Sequence, residues 1–223
     1  MLHNTNKIKG ILFDMDGTVL DSEGLFDAAQ IKLLNEYGIV AEGNELAEFK
    51  GMSYKDFYPR FMKKFNLNVE VDLIRSKLRT YLHHIMETDL RYVDGFEDFY
   101  KSFIKDSDIR VGLVTNTTRL TYDKIKSCIN IGDYFSFVIT STEATEPKPS
   151  PSPYLQAMDS LSLSLDETLI IEDSKTGLLS AVRSDATVLG ITTSLTKRTI
   201  KDIDKNIRIV RSYEDIKAYL ENY

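Results

Sequence analysis

The 223-residue chain has no tryptophan, one cysteine, three histidines and five prolines. Cys128 alone can form no intramolecular disulfide, and with only His3, His83 and His84 beside it no Cys/His zinc cluster can be built. No apolar run approaches the length of a membrane span. The polar stretch from Met1 to Lys9 lacks the apolar segment of a secretion signal, so a cytoplasmic protein is expected. Positive charge is in deficit as well: 28 Lys and Arg stand against 34 Asp and Glu, a net charge of -6. That balance opposes sequence-independent binding to phosphate backbones or anionic lipid, and neither nucleic acid nor a membrane is an expected partner. Neither a Gly-x-x-x-x-Gly-Lys loop nor a Gly-x-Gly-x-x-Gly fingerprint occurs, which argues against a nucleotide-cradling P-loop or a dinucleotide site.

What is present is ample material for a core: 42% of residues are apolar and 10% aromatic, which excludes overall disorder. The length suggests one domain with an insertion, and the expected working state is a monomer. A near-continuous apolar run from Ile8 to Phe13 stops at Asp14, Asp16 and Gly17, as a buried strand does when it ends in a polar turn. Similar runs recur at 109–114, 137–139, 169–171 and 188–191. Helical periodicity fills the intervals at 120–129, 152–161 and 176–183, so strand and helix alternate and a parallel sheet with helices on both faces is expected. Residues 18–92 break that rhythm, with helical patterns at 25–37, 54–65 and 70–87 and no convincing strand. The expected fold is therefore α/β: a Rossmann-like parallel sheet core, residues 1–17 and 93–223, with an inserted helical cap domain over 18–92. Asp94-Gly95 and the Ser22 to Gly24 region are the expected hinges. Four of the five prolines, at 147, 149, 151 and 153, stiffen a single loop ahead of a helix.

Four polar clusters sit just past the carboxyl ends of the expected strands: Asp14 with Asp16, Thr115 with Asn116, Lys148, and Glu172 with Asp173. In an open parallel sheet that edge binds ligands. Carboxylates suit a hard divalent cation, while Thr115, Asn116 and Lys148 offer donors to anionic oxygens, so the mixture invites a metal and a phosphate together. Taken singly, each cluster has a plainer explanation. Asp-x-Asp-Gly is often only a turn, although the calcium-loop version fails because Thr18 and Leu25 occupy ligand positions. Thr115-Asn116 or Glu172-Asp173-Ser174 could simply cap the helix that follows, and a lone lysine is usually solvated.

In order, however, Asp14-Met15-Asp16-Gly17-Thr18, Thr115, Lys148 in Lys-Pro-Ser-Pro-Ser-Pro-Tyr and Glu172-Asp173-Ser174 resemble the four motifs of the haloacid dehalogenase superfamily, in the branch with a helical cap after motif one. The resemblance runs from about Lys7 to Ile191. It implies a Mg²⁺-dependent phosphomonoester hydrolase acting on a small phosphorylated metabolite through an aspartyl-phosphate. Asp14 would attack phosphorus, Asp16 would serve as acid and base, and Thr115, Asn116 and Lys148 would bind phosphate. Asp14, Asp16, Glu172 and Asp173 would gather Mg²⁺. An ordinary aspartate is already ionised at neutral pH, so Asp14 is expected to need no activating base. Two departures stand out: Pro147 where relatives usually have Gly before the lysine, and Ser184-Asp185 where they often have Ala-Gly.

Within the cap, Gly51 to Asp56 resembles the segment that sorts substrates, which makes Lys50, Met52, Ser53 and Tyr54 candidates for touching the organic part. The main alternative is a sugar-phosphate mutase of the beta-phosphoglucomutase type, and a non-catalytic phosphate- or metal-binding relative is the other. The similar mutases carry a His twelve residues after the nucleophile and an Arg one beyond the cap-segment Ser, where this chain has Phe26 and Tyr54. Phe26 supplies neither charge nor a proton relay, although Lys50, Lys55 or Arg60 could replace the missing cation. Other motifs are weak. Ser102 to Lys105 and Lys175 to Gly177 match two fragments of penicillin-recognising serine enzymes without the third, and His83 and His84 are about 100° apart on a helix and cannot share a ligand.

Overall fold

A computed structural model of the chain describes residues 8–49, 52 and 54–222. These residues fall into two compact units, 8–21 with 91–222, and those within 22–90.

The first unit is built on a six-stranded sheet, β1 (Gly10–Phe13), β2 (Arg110–Val114), β3 (Phe137–Ile139), β4 (Thr168–Glu172), β5 (Thr187–Ile191) and β6 (Arg208–Val210). Its order is β3-β2-β1-β4-β5-β6, and every pairing is parallel. The chain builds outward from β1 to β3, then returns to the other side of β1 and builds outward again. The order therefore reverses between β1 and β4, where the loops after the two strands diverge and leave a crevice at their carboxyl ends. In register, Phe13 lies beside Ile171 and Leu113, so the residues after β1, β2 and β4 begin at nearly the same height.

β1 and β4 are buried throughout, as central parallel strands must be, because helices cover both faces. On one side Leu12, Val114, Ile139, Tyr154, Met158, Ile170 and Leu178 form a closed apolar cluster. Elsewhere in the unit Phe96 is fully buried, with ring centroids 6.0 Å from Phe13, 5.5 Å from Tyr92, 5.2 Å from Tyr134 and 5.5 Å from Tyr213.

The second unit is all helical: α1 (Glu23–Glu36), α2 (Gly43–Leu46), α3 (Tyr54–Lys64) and α4 (Val71–Asp89). It has its own core, in which Leu33, Leu34, Ile74 and Leu78 pack with a column of rings from Phe49, Phe57, Phe61 and Phe65. The first unit resumes with α5 (Phe96–Phe99), then α6 (Arg119–Cys128), α7 (Ser152–Ser160), α8 (Lys175–Arg183), α9 (Lys197–Ile203) and α10 (Tyr213–Glu221).

Two differences from the sequence expectation have physical causes. The units divide at 21/22 and 90/91, not at 17/18 and 92/93. Val19 and Leu20 are fully buried in the first unit, Gly17 N–H donates to the Leu20 carbonyl, and Leu20 bridges to Tyr92. The sheet also gains β6, an edge strand of three residues too short to show a period, and α9 and α10 follow the last strand expected. Asp185 takes up a left-handed conformation (φ 62°), which a short polar side chain tolerates, so the Ser184-Asp185 turn replaces the glycine of the family pattern without changing the topology.

Phe96 ties β1 to α10, so truncating it opens a cavity among rings that cannot collapse together. Phe96→Ala is expected to lose about 3–5 kcal/mol of stability in urea unfolding of the whole chain.

Candidate functional site

The site forms where β1 and β4 end side by side. Asp14 follows the last residue of β1, and its N–H donates to the Ile171 carbonyl at 3.0 Å. Glu172 closes β4, and Asp173 follows it. One oxygen from each of Asp14, Glu172 and Asp173 falls within a group no wider than 4.8 Å, and the three residues are at most 7% exposed.

Lys148 reaches into that group. Its ammonium donates to Asp14 Oδ1 at 2.6 Å, to Glu172 Oε1 at 2.6 Å and to the Val114 carbonyl at 2.7 Å, which uses all three of its protons. The ammonium also lies 4.8 Å from the centroid of the Tyr154 ring, whose hydroxyl donates to Glu172 Oε1 at 2.9 Å. Burial pulls the Lys148 ammonium down in pKa, but Asp14 and Glu172 outweigh it and the net shift is upward, so Lys148 is charged. For Asp14 burial acts first and the Glu172 carboxylate second. Both push it well above the ordinary carboxylate value against the pull of Lys148. The expectation of an unperturbed Asp14 is corrected here: three buried carboxylates facing one ammonium leave negative charge uncompensated, and Asp14 responds by holding a proton more tightly.

That imbalance is the structural argument for a cation. The donors are hard carboxylate oxygens, converging and shielded from water, and they carry more negative charge than Lys148 cancels, which fits a magnesium-sized ion. Asp16 is not part of the converging group. It is half-buried, and its Oδ2 accepts from Thr117 Oγ1 at 2.9 Å.

Thr115 and Asn116 are placed at the end of β2, but neither caps a helix. Thr118 caps α6, accepting from the Thr121 N–H. Thr115 is buried and its hydroxyl accepts from the Thr117 N–H. The Asn116 amide pairs with the chain at Lys148: Nδ2 donates to the Lys148 carbonyl at 3.1 Å and Oδ1 accepts from the Lys148 N–H at 3.0 Å. It fixes the stem of the lysine. On the far side Ser174 caps α8 by accepting from the Gly177 N–H, which leaves Glu172 and Asp173 to the site. Gly177 has no side chain because a Cβ there would occupy the space of the Glu172 carboxylate.

The loop carrying Lys148 is fastened at its start. Glu143 accepts from the Thr140 N–H and hydroxyl and pairs with Arg119 at 3.0 Å, on the first turn of α6. Chiefly through the Arg119 hydrogen bonds, and with Thr140 adding to them, Glu143 is held down to about 2.

Of the residues expected in the helical unit, Met52 packs half-buried against that unit's core. Lys50 and Ser53 lie outside the described residues, and so does the side chain of Tyr54. Phe26 packs on the same core, 5.3 Å from Phe57 between ring centroids. Sequence reasoning gave no role to Thr117, two residues past Thr115, or to Tyr154, which closes the Lys-Pro-Ser-Pro-Ser-Pro-Tyr stretch; nothing in their spacing marks the contacts they make.

The family model for haloacid dehalogenase-like hydrolases matches residues 11–191. Pyrophosphatase PpaX of Oceanobacillus iheyensis is 28% identical over 190 residues, covering 84% of this chain and 85% of the relative. Phosphoglycolate phosphatase of Photorhabdus laumondii is 27% identical over 204 residues, covering 83% and 80%. A solved structure from Thermotoga maritima, provisionally named a beta-phosphoglucomutase, aligns with a TM-score of 0.84 at 19% identity, over 97% of this chain and 100% of that one. At that identity the likeness speaks to the fold alone.

The depressed Glu143 gives a pH signature. Its contribution to stability is fully present above the ordinary glutamate value of 4.5 and is lost as pH falls through about 2. Glu143→Gln should therefore be less stable than the native chain near neutral pH, with the gap closing as pH falls across that window; a gap that stays constant in urea titrations would contradict the assignment.

Proposed function

The chain belongs to the haloacid dehalogenase-like hydrolases, and from that membership we propose that it is a Mg²⁺-dependent phosphatase that takes a small phosphomonoester through an aspartyl-phosphate on Asp14. The observation that carries this reading is the convergence of Asp14, Glu172 and Asp173 around Lys148 at the point where the sheet reverses. Relatives named as phosphatases support the reaction class.

Asp14 and Asp173 would hold the ion with Glu172 beside them, and the ion would supply charge neutralisation that lets an anionic nucleophile meet a phosphate dianion. The residues of the chain do the rest. In the first half, an Asp14 carboxylate oxygen forms a bond to phosphorus while the ester P–O bond breaks in line, and the leaving oxygen takes a proton from the Asp16 carboxyl. In the second, Asp16 takes a proton from a water as its oxygen bonds to phosphorus. The acyl phosphate bond breaks, and Asp14 is returned with inorganic phosphate released. Lys148 offsets charge at the nucleophile throughout, and Asn116 keeps its backbone in place. The Thr117 hydroxyl at 2.9 Å orients Asp16 toward this exchange.

Water is the acceptor in this reading because Phe26 is spent on the core of the helical unit and carries no group that could relay a proton or grip a second phosphate. Substrate choice is assigned to Lys50, Met52, Ser53 and Tyr54 in that unit.

Asp14→Asn should lower kcat by at least about a thousandfold, the scale of a lost covalent nucleophile, while the variant still folds and unfolds cooperatively in urea. EDTA should abolish activity, Mg²⁺ restore it, and Ca²⁺ substitute poorly. Wild-type turnover by Asp14→Asn, or full activity in excess EDTA, would sink the assignment. Conversion of β-glucose 1-phosphate with a trace of its 1,6-bisphosphate to the 6-phosphate, faster than phosphate release from any monoester, would make the chain a mutase.

A further inference from the structure

The Asp173 carboxylate is held from two directions. Its Oδ1 accepts from the Thr18 hydroxyl at 3.2 Å within the motif-one turn, and its Oδ2 accepts from Ser194 Oγ. Ser194 belongs to none of the four motifs and lies past the 11–191 stretch that the family model matches. It sits in the turn after β5, and β5 is the neighbour of β4, so the sheet order brings Ser194 to the side of Asp173 away from Asp14.

The same turn grips motif one. The Thr193 hydroxyl donates to the Gly17 carbonyl at 2.5 Å, and Tyr213, at the start of α10, donates its hydroxyl to the Thr18 carbonyl at 2.7 Å. Gly17 passes so close beneath that a Cβ would lie 2.9 Å from Ser194 Oγ and collide with the Asp173 carboxylate, and its φ of +81° is one that L side chains rarely adopt. Asp173 thus faces a turn with no side chain on one side and a hydroxyl on the other. Thr18 and Ser194 each hold one of its oxygens.

We propose that Ser194 is a positioning residue for the metal site: by donating to Asp173 Oδ2 it keeps that carboxylate aimed at the point where Asp14 and Glu172 converge, and so sets the affinity for Mg²⁺. The proposal rests on reading Asp173 as a metal ligand. A carboxylate oxygen has a second lone pair, so the hydroxyl can stay bound while the carboxylate binds a cation. Groups that orient a ligand in this way contribute to affinity and geometry without touching the substrate. Thr193 provides the contrast within one turn. Its hydroxyl anchors the loop to Gly17 and does not reach Asp173, so a role that is only structural would make Thr193 and Ser194 equivalent.

The test is Mg²⁺ binding to the substrate-free full-length chain by titration calorimetry, for the native protein, Ser194→Ala, Thr193→Ala and Asp173→Asn. Urea unfolding in EDTA would show that each variant folds. Ser194→Ala should weaken Mg²⁺ binding by about tenfold or more, the usual cost of removing a group that orients a ligand. Thr193→Ala should stay within about threefold of the native protein. With saturating Mg²⁺, Ser194→Ala should recover kcat to within about threefold, so that its defect lies in the metal dependence. A Ser194→Ala affinity within about threefold of native, or equal losses in Ser194→Ala and Thr193→Ala, would overturn the proposal while leaving the metal reading standing. Native affinity in Asp173→Asn would instead remove Asp173 as a ligand, and the proposal would fall with it.

Discussion

An ammonium buried at the end of the sheet, with a carboxylate on either side of it, is the constraint around which this molecule is arranged. Lys148 donates to Asp14 and Glu172 at 2.6 Å each, with Glu172 fully buried, so it can remain charged only because both partners are present. A buried ionic cluster of this kind is a poor source of stability, since desolvation offsets much of the attraction, and removing any one member leaves an uncompensated charge. What it specifies is geometry. Asp14 and Glu172 can share a lysine only if β1 and β4 are adjacent and end in register, which the strand order provides. The lysine can reach them only if its loop returns over β2, which Asn116 secures from the end of that strand. Asp173, next along the chain from Glu172, then falls close to Asp14, and the excess of negative charge follows from the packing.

The interruptions in apolar runs made the sheet legible. Phe13 to Asp14, Val114 to Thr115 and Ile171 to Glu172-Asp173 each mark the point where a buried strand meets a ligand-binding edge, and that contrast is local in sequence. β6 was not legible because three residues at an edge carry no period, and α9 and α10, which flank it, were missed with it. Roles decided by partners far along the chain were hidden for a different reason. The pairing of the Asn116 amide with Lys148, 32 residues away, leaves no mark in the sequence, and Ser194 is an ordinary turn serine until the sheet puts it beside Asp173. The proton affinity of Asp14 likewise depends on burial and on Glu172, neither of which composition or spacing reveals.

The helical unit follows a simpler logic. A segment of this size inserted after the first strand needs an apolar interior of its own, and a column of phenylalanines at 49, 57, 61 and 65 supplies it, with Phe57 and Phe61 stacked at 5.1 Å. Phe26 joins that interior as a packing element, tilted against Phe57. The catalytic unit and the helical unit thus meet different demands: one converges charge, the other fills volume.

The claim on which the rest depends is that phosphorus is bonded to Asp14 during turnover. The direct measurement is an acid quench of the native protein with Mg²⁺ during steady turnover of a phosphomonoester, followed by borohydride reduction and peptide mass spectrometry. An aspartyl phosphate is reduced to homoserine, and a glutamyl phosphate to the alcohol one carbon longer. Homoserine at position 14, and absent when substrate is omitted, is the predicted result; the reduced alcohol at any other carboxylate, or at none while phosphate is being released, would contradict it.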